Sequence, residues 1–273
     1  MPAVPSEPPT TPSGIHRSRQ MAESFGVDAR GYDHARPTYP EELIERVVAG
    51  RPEPTVLDIG CGTGIAARQF QSAGCVVVGL DPDARMVAYA SEQGLEAEVA
   101  TFEEWEPAGR SFDIVTAAQS WHWVDPAVGP RKVADLLHPG GRLAIFSHVF
   151  EPPDDIAAAF AEAYRRAVPD SPFTGQGRRP LEMYQTGYAR IADSLRQTAT
   201  FESVEQWRFD WTLPYTRDEW LDLLPTTGGL TQLPVDRRAP ILDAVGAAID
   251  ARGGSFTMEY VTLCATGLRV LGD

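Results

Sequence analysis

The sequence predicts an α/β protein built on a doubly wound, mostly parallel sheet. Short apolar runs typical of buried strands alternate with amphipathic helical segments. The first such run, 56–59, turns through Gly60, Gly62 and Gly64 directly into a helical segment. Strands that alternate with helices form parallel sheets whose two faces are both covered by helices. We therefore expect one large α/β domain, with any ligand near the glycine turn.

The N-terminal part of the chain precedes the first strand. Residues 1–20 are rich in Pro, Ser and Thr at their start and contain no apolar stretch like that of a secretory signal, so we expect a disordered tail. Residues 21–40 predict a short helix and a turn that ends at Pro37 and Pro40. Residues 40–49 form the next helix, with acids in its first turn.

The sheet core extends to about residue 150. Continuous or alternating apolar runs predict five strands, and the segments between them have helical periodicity and end at glycines or before a proline. The expected strands are 56–59, 75–81, 95–99, 112–118 and 142–147. The expected helices are 65–74, 82–93 and one that contains 133–137.

The pattern changes after residue 151. Residues 151–200 predict a helical insertion that could act as a lid over an acceptor, and residues 201–273 predict strands and helices that complete the core. A capping box at 216–219 marks a helix start. The expected elements are helices at 154–168, 184–195, 220–224 and 235–251, a loop at 169–177, and strands at 207–213 and 256–265.

Composition and charge exclude several classes of protein. The formal charge of the 273 residues is −14, which disfavours binding to nucleic acid and to anionic lipid surfaces. No apolar run has the length of a membrane span. The three cysteines form no C-x-x-C pair, which argues against a disulfide framework and a zinc site. We expect a cytoplasmic protein, monomeric or homodimeric, that binds no metal.

The glycine turn narrows the choice of ligand. A strand that turns through glycines into a helix presents backbone N–H groups to a ligand at the carboxyl end of the sheet. The dinucleotide fingerprint needs a third glycine at position 65, where this chain has Ile65, and the Gly-Lys-Ser/Thr of a P-loop is absent. Asp81, which ends the second strand, is placed to accept hydrogen bonds from ribose hydroxyls.

The run Val-Leu-Asp-Ile-Gly-Cys-Gly-Thr-Gly at 56–64, with Asp81, resembles the cofactor site of class I S-adenosylmethionine-dependent methyltransferases of the small-molecule, type 11 branch. Residues 111–115 and 137–143 are similar to that family's fourth strand and the turn into its fifth. The resemblance covers residues 20–150. It implies a Rossmann-like sheet, with S-adenosylmethionine as cofactor and S-adenosylhomocysteine as product.

The resemblance also implies roles for single residues. Asp58 orients the loop and faces the amino group of the cofactor through water, and Asp81 binds its ribose. Thr101 stands where relatives usually have Asp, so its hydroxyl would bind the adenine more weakly than a carboxylate. Arg36 either clamps the methionine carboxylate or is a surface side chain, and Phe102 either uses its backbone N–H on the adenine or has its side chain in the core. The full expected set is Tyr32, Arg36, Asp58, Gly60, Cys61, Gly62, Gly64, Asp81, Pro82, Met86, Thr101, Phe102 and Ala117.

Residues 119–125, Gln-Ser-Trp-His-Trp-Val-Asp, follow the fourth strand, where this fold places groups that contact the acceptor. The segment is similar to the His-Trp-Val run of trans-aconitate and juvenile hormone acid methyltransferases, which implies that Trp123 holds a substrate carboxylate. His122 is the candidate general base by its pKa range and position, with a structural role or packing of the tryptophans on the cofactor as alternatives. The expected acceptor contacts are Gln119, Trp121, Trp123 and His148.

The sequence therefore predicts a methyltransferase that moves a methyl group to oxygen or nitrogen of a small molecule by in-line displacement. Such chemistry depends on orientation and exclusion of water. A Trp-rich cavity would suit a hydrophobic or aromatic acceptor of the kind used in specialised metabolism. Two alternatives stay open: a non-catalytic module that binds S-adenosylmethionine, and an oxidoreductase that uses a nicotinamide cofactor, which Ile65 disfavours.

Overall fold

The computed structural model describes residues 24–169 and 180–271. The tail expected at 1–20 and most of the loop expected at 169–177 lie outside these residues. Seven strands in the described ranges form one sheet. They are β1 Thr55–Ile59, β2 Val76–Asp81, β3 Glu96–Val99, β4 Phe112–Ala118, β5 Leu137–Glu151, β6 Phe201–Thr216 and β7 Ser255–Arg269.

The helices fall where the periodicity predicts them, with small shifts at their ends. A single-turn helix, Phe25–Asp28, precedes the first α-helix, and short turns at Trp121–Trp123 and Leu224–Thr226 flank later elements. The α-helices are α1 Ala29–Ala35, α2 Glu41–Val48, α3 Ile65–Ser72, α4 Ala84–Glu92, α5 Gly129–Leu136, α6 Asp154–Ala167, α7 Pro180–Gln197, α8 Arg217–Leu223 and α9 Val235–Ala251.

The strand order is β3-β2-β1-β4-β5-β7-β6. The first five strands in this order pair in parallel, whereas β7 runs antiparallel to both β5 and β6. The predicted mostly parallel, doubly wound sheet is thus confirmed. The direction of the strand order reverses at β1, and the crevice beyond the carboxyl ends of β1 and β4 is where open α/β sheets bind ligands.

Both faces of the sheet are buried, which explains the continuous apolar runs. Val56 and Ile114 face a layer formed by α2, α3 and α4, whereas Leu57 and Val115 face a layer that contains α5 and α7. All four side chains are fully buried. Because successive strand residues point to opposite faces, each central strand contributes to two cores at once.

Strand β5 is longer than the predicted 142–147. It begins at Leu137 and reaches Glu151 because β7 pairs with it from Arg142 to Glu151. The segment expected as a turn, after Leu137, is instead an irregular start of β5, where the register with β4 shifts. This long-range pairing leaves no local signal, so the sequence pattern underestimated the strand.

The carboxyl half of β6 and the amino half of β7 carry a separate helical layer, here called the cap, formed by α6, α8 and α9. The cap has its own apolar cluster around Trp220, Ile241 and Phe256. The predicted capping box of Thr216 and Glu219 is present at the start of α8. Of the expected 151–200 insertion, α6 packs in the cap, whereas α7 covers the sheet. A lid function for this region stays a prediction.

No helix in the described ranges combines the length and the apolar character needed to span a bilayer.

The cap cluster supplies a test of the packing. Trp220 is 2% exposed and packs edge-on against the rings of Phe150, Tyr215 and Phe256, with centroid distances of 5.7, 5.3 and 5.6 Å. Trp220→Ala should lower the free energy of unfolding by about 3–5 kcal/mol, because it leaves a cavity in a dense apolar cluster. Urea denaturation followed by circular dichroism measures this. Val235→Ala, at a residue 69% exposed on α9, is the control and should change stability by no more than about 0.5 kcal/mol.

Candidate functional site

The glycine turn after β1 is fixed by the neighbouring strand ends. The backbone N–H groups of Gly60 and Cys61 both donate to the carbonyl of Leu80 at the end of β2, at 2.7 and 3.0 Å. Gly60 has φ +66°, and a Cβ there would lie 2.4 Å from the Cβ of Ser120 after β4. Only glycine fits this position, because a side chain would meet both backbone strain and the β4 turn.

Asp81 at the end of β2 holds the same turn from the other side. Its Oδ2 accepts the N–H of Gly62 and its Oδ1 accepts the N–H of Asp83, each at 2.9 Å. Burial raises the pKa of Asp81 to about 6, while these two hydrogen bonds oppose that shift. The carboxylate is therefore mostly ionised at neutral pH. Its lone pairs not used by the backbone suit hydroxyl donors, which fits the ribose role that the resemblance implies.

Asp58 in β1 is fully buried. Its Oδ1 accepts the hydroxyl of Thr116 at 2.7 Å, but its Oδ2 has no hydrogen-bond partner. Burial raises the pKa of Asp58 to about 7, with the nearby Asp81 charge adding to the effect. A buried acceptor without a donor is costly, and an ammonium group would satisfy it. This oxygen therefore fits the amino group of S-adenosylmethionine.

Residues 24–40, here called the cover, lie across these strand ends. Asp33 in the cover bonds to Arg68 of α3 at 2.7 Å and accepts the hydroxyl of Tyr89 at 3.3 Å. Arg36 reaches the other way and donates to the hydroxyl and the carbonyl of Thr226 in the cap, at 2.9 and 2.6 Å. Polar contacts therefore connect the cover to the sheet layer and to the cap.

A cavity of about 60 Å³ lies between the cover, the glycine turn and the ends of β4 and β5. It is too small for the methionine part of the cofactor, so the cover has to shift for a ligand to enter. Its lining residues are Tyr32, Arg36, Pro37, Tyr39, Gly60, Cys61, Gly62, Thr63, Ile65, Ala66, Ala118, Gln119 and His148. Five of the expected cofactor residues and two of the expected acceptor residues are thus brought together.

The other expected cofactor residues lie outside this lining. Met86 is buried in α4, next to the end of β2, whereas Pro82 is exposed. The hydroxyl of Thr101 bonds to the carboxylate of Glu104 at 3.0 Å, so it already has a partner. The side chains of Phe102 and Ala117 are part of the apolar core. For Phe102, the core position is the alternative that the sequence left open.

The segment after β4 begins with a strained residue. Gln119 has φ +59°, unusual for a residue with a side chain. Its N–H donates to the carbonyl of Phe146, and its Nε2 donates to the carbonyl of His148 at 3.4 Å. These bonds hold the Gln119 backbone and amide against β5. Backbone strain of this kind clusters at ligand sites.

Residues Trp121–Trp123 form a single helical turn, and none of the three lines the cavity. Trp121 packs on the main core, and the rings of His122 and Trp123 lie 4.6 Å apart. Surrounding protein lowers the pKa of His122, but the side chain is exposed, so solvent limits this shift. The ring is thus neutral at pH 7 and able to accept a proton.

His148 stands in an aromatic enclosure at the end of β5. Its ring stacks on Tyr39 of the cover with a centroid distance of 4.1 Å and meets Trp211 of β6 edge-on at 5.2 Å. Its Nδ1 lies 3.0 Å from the hydroxyl of Thr262 in β7, and its Nε2 has no partner. Burial and then the Arg36 charge lower the pKa of His148 to about 3, so the ring is neutral.

Sequence reasoning missed several residues of this site. Tyr39 and Thr63 line the cavity, and the hydroxyl of Thr63 is buried without a partner. Both flank motifs that the sequence had singled out, so proximity in the chain could have suggested them. Thr226 and Thr262 come from the cap region and from β7, and no local pattern marks them. In the described residues, no group of three or more His, Cys, Asp or Glu side chains is arranged to hold a metal ion.

Comparison with known proteins agrees with this geometry. Residues 57–145 match a family model described as a methyltransferase domain. An uncharacterized methyltransferase of Mycobacterium tuberculosis is 29% identical over 253 residues, which cover 90% of this chain and 96% of the relative. A trans-aconitate 2-methyltransferase of the same species is 34% identical over 146 residues, 50% of this chain and 54% of the relative.

Two solved structures have the same fold. One, from Anaeromyxobacter dehalogenans and described as a candidate type II methyltransferase, has a TM-score of 0.62 with 22% identity over 87% of this chain and 99% of its own. The other is a phosphoethanolamine N-methyltransferase of Haemonchus contortus in complex with S-adenosylhomocysteine. It has a TM-score of 0.53 with 16% identity over 96% of this chain and 61% of its own. At these identities the likeness shows the fold alone.

The unpaired oxygen of Asp58 supplies a test of the site electrostatics. The native carboxyl keeps its proton up to about pH 7, whereas an unfolded chain releases it near its ordinary value of 3.8. The native state therefore binds more protons in this window, and this group lowers the free energy of unfolding as pH rises, by up to about 1.4 kcal/mol per unit. Wild type should lose stability relative to Asp58→Asn between about pH 5 and pH 7 in urea denaturation.

Asp113→Asn is the control. Burial raises the pKa of Asp113, but hydrogen bonds from Thr55 outweigh that effect and leave it lowered. Asp113 thus stabilises the protein above its unfolded pKa and loses that contribution as pH falls. Between about pH 5 and pH 7 the difference between wild type and Asp113→Asn should therefore be flat, and only below the ordinary pKa of 3.8 should it change, with the opposite slope to that of Asp58. Parallel pH profiles for wild type and Asp58→Asn would contradict the assignment.

Proposed function

We propose that this protein uses S-adenosylmethionine to methylate an oxygen or nitrogen of a small-molecule acceptor, because residues 57–145 match a methyltransferase domain and the fold is that of solved methyltransferase structures. One observation carries the proposal. A single cavity is bounded by the glycine turn on the cofactor side and by Gln119 and His148 on the far side. Groups suited to the two reactants therefore lie next to each other at the switch point of the sheet.

The residues present fit the cofactor. Asp58 Oδ2 would take the amino group, Asp81 the ribose hydroxyls, and the glycine turn would approach the methionine part with bare backbone. Arg36 would reach the methionine carboxylate after leaving Thr226, since its planar fork suits a carboxylate. When bound, S-adenosylmethionine supplies a methyl carbon that the sulfonium already activates.

The chain then contributes orientation and exclusion of water. Tyr39 and the cover close one side of the cavity, and Gln119 and His148 close the other. Holding the two reactants in line removes much of the entropic cost of a displacement, and a closed site prevents loss of the reactive methyl to water. For an acceptor that must lose a proton, the candidate base is His122, whose neutral ring is exposed outside the cavity lining and would have to reach the bound acceptor. An acceptor that is already anionic needs no base.

A small molecule fits the acceptor role better than a macromolecule. The cavity is enclosed by the cover, and the chain carries a formal charge of −14, which repels nucleic acid. The relative named trans-aconitate 2-methyltransferase methylates a small acid according to its name, which makes small organic acids a first class to test. We further propose that the protein acts as a monomer or a homodimer in the cytoplasm.

Radioactive S-adenosylmethionine and a metabolite extract test the proposal. Incubation with the protein should place label on small molecules, separable by chromatography, and the reaction should stop on addition of excess S-adenosylhomocysteine. A protein that binds the cofactor in calorimetry but labels nothing would be a binding module, and the proposal would be wrong.

Asp81→Asn should weaken cofactor binding by about 10- to 100-fold. The amide replaces one hydrogen-bond-accepting oxygen with an NH₂ group that can only donate, whereas the loop N–H groups and the ribose hydroxyls all require an acceptor. Calorimetry with S-adenosylhomocysteine measures this. Asp210→Asn, on an exposed side chain of β6 that pairs with Arg208, is the matched control and should bind normally. Equal affinity for both variants would remove Asp81 from the cofactor site.

His122→Ala should slow label transfer to the extract by about 100-fold or more if His122 is the base, and should leave the calorimetric affinity for S-adenosylhomocysteine within about threefold. His138→Ala, at an exposed histidine at the amino end of β5, controls for loss of a surface imidazole. Unchanged transfer by His122→Ala would leave this residue with a packing role beside Trp123.

A further inference from the structure

The surroundings of His148 determine which of its nitrogens carries the proton. The indole N–H of Trp211 donates to the hydroxyl of Thr262 at 2.9 Å, and the same hydroxyl lies 3.0 Å from His148 Nδ1. An indole nitrogen only donates, so Thr262 accepts from Trp211. Thr262 is completely buried. Its own proton then has one nearby acceptor among the described residues, namely His148 Nδ1.

The other neutral tautomer, with the proton on Nδ1, leaves one buried hydrogen-bond donor without an acceptor. If Nδ1 carried the proton, the Thr262 oxygen would accept two bonds and its hydroxyl proton would be buried without an acceptor, which costs about 1–3 kcal/mol. A neutral ring with its proton on Nε2 satisfies Trp211, Thr262 and Nδ1 together. The hydrogen bonds from Trp211 to Thr262 and from Thr262 to His148, here called the relay, therefore leave the Nε2–H as the buried polar end of the ring.

By hydrogen-bond geometry Nε2 has no partner among the described residues, and the His148 side chain is only 7% exposed. The ring lines the cavity, and backbone groups of Pro37 and Thr38 in the cover lie close enough to raise the pKa of His148 against the larger effect of burial. A buried donor left unpaired is costly, and such groups are retained where a ligand satisfies them.

The sheet order separates this donor from the cofactor side. The glycine turn follows β1, whereas His148 lies near the carboxyl end of β5, beyond β4 in the order β1-β4-β5. On this side of the cavity, the amide of Gln119 donates to the carbonyl of His148, and the rings of Tyr39 and Trp211 flank the imidazole. A donor held between aromatic rings is suited to an oxygen that carries negative charge.

We propose that the relay from Trp211 through Thr262 holds His148 as an Nε2–H donor, and that this donor binds an anionic oxygen of the acceptor, a carboxylate or a phenolate. The assignment rests on the proposed function and names the acceptor class for it. His148 is a specificity-determining residue in this scheme, and Thr262 and Trp211 are positioning residues that act through it.

The tautomer is tested by nitrogen NMR on the full chain with ¹⁵N-labelled histidine. His148→Gln identifies the His148 signals by their loss. In wild type, Nδ1 should resonate as an unprotonated nitrogen and Nε2 as a protonated one. Thr262→Val removes the hydroxyl at similar volume and should abolish this preference while the other four histidines keep their signals. A protonated Nδ1 in wild type, or an unchanged His148 signal in Thr262→Val, would overturn the relay.

The acceptor class is tested by calorimetry with matched fragments in the presence of S-adenosylhomocysteine. Benzoate and 4-nitrophenol at pH 8 carry an ionised oxygen, and benzylamine and benzyl alcohol have the same ring without it. Wild type should bind benzoate or 4-nitrophenolate at least tenfold more tightly than benzylamine and benzyl alcohol. The benzoate and 4-nitrophenolate arms show which source of anionic oxygen is preferred. Equal binding of all four fragments, or no binding, would overturn the proposal.

Two substitutions at His148 separate the donor from the ring. His148→Phe keeps the aromatic stack on Tyr39 but loses the donor. The ratio of its affinities for the anionic fragments and for the other two should be at least tenfold lower than in wild type. His148→Gln retains an N–H near the position of Nε2, so part of this ratio should be recovered. Both should bind S-adenosylhomocysteine within about threefold of wild type. A loss of cofactor affinity in His148→Phe would place the donor in the cofactor site and overturn the proposal. If wild type transfers label to the extract but binds all four fragments equally, the protein is a methyltransferase as proposed and only the assignment of an anionic acceptor is wrong.

Discussion

The close approach of three strand ends is the constraint on which the site depends. The turn after β1 donates two backbone hydrogen bonds to Leu80 of β2, and its Gly60 lies against Ser120 after β4 with no room for a Cβ. Strand order reverses at β1, so the crossovers diverge here and leave a crevice. The turn places bare backbone in that crevice, with Asp58 of β1 and Asp81 of β2 adjoining it outside the cavity lining.

The antiparallel end of the sheet builds the opposite wall. Because β6 and β7 extend past β5, they carry the cap. The pairing of β7 with β5 places Thr262 opposite His148, and Trp211 of β6 bonds to the same Thr262. The cover closes the remaining side through Arg36 and Thr226. Hydrogen bonds such as those of Arg36 to Thr226 break and re-form more readily than the contacts of an apolar core. This agrees with a cavity that must widen for a ligand to enter.

The two sides of the site have different electrostatics. Burial raises the pKa of Asp58 and of Asp81, which adjoin the glycine turn without lining the cavity, so these carboxylates gain from a cationic ligand. Burial lowers the pKa of His148 on the far side, so that ring is a neutral donor. A bound sulfonium and an anionic acceptor oxygen would each meet complementary groups, and both would be drawn toward the place where the strands end.

The sequence by itself determined the parallel sheet, the glycine turn and its acids, since periodicity, strand-ending residues and the spacing to Asp81 are local features. It placed α9 and the capping box correctly for the same reason. Only the tertiary structure decided the length of β5, the partner of Arg36 and the relay to His148. Thr262 is 114 residues from His148, and residues so far apart leave no periodic signal of their contact. Their meeting depends on how β7 pairs with β5, and that pairing exists only in the folded chain.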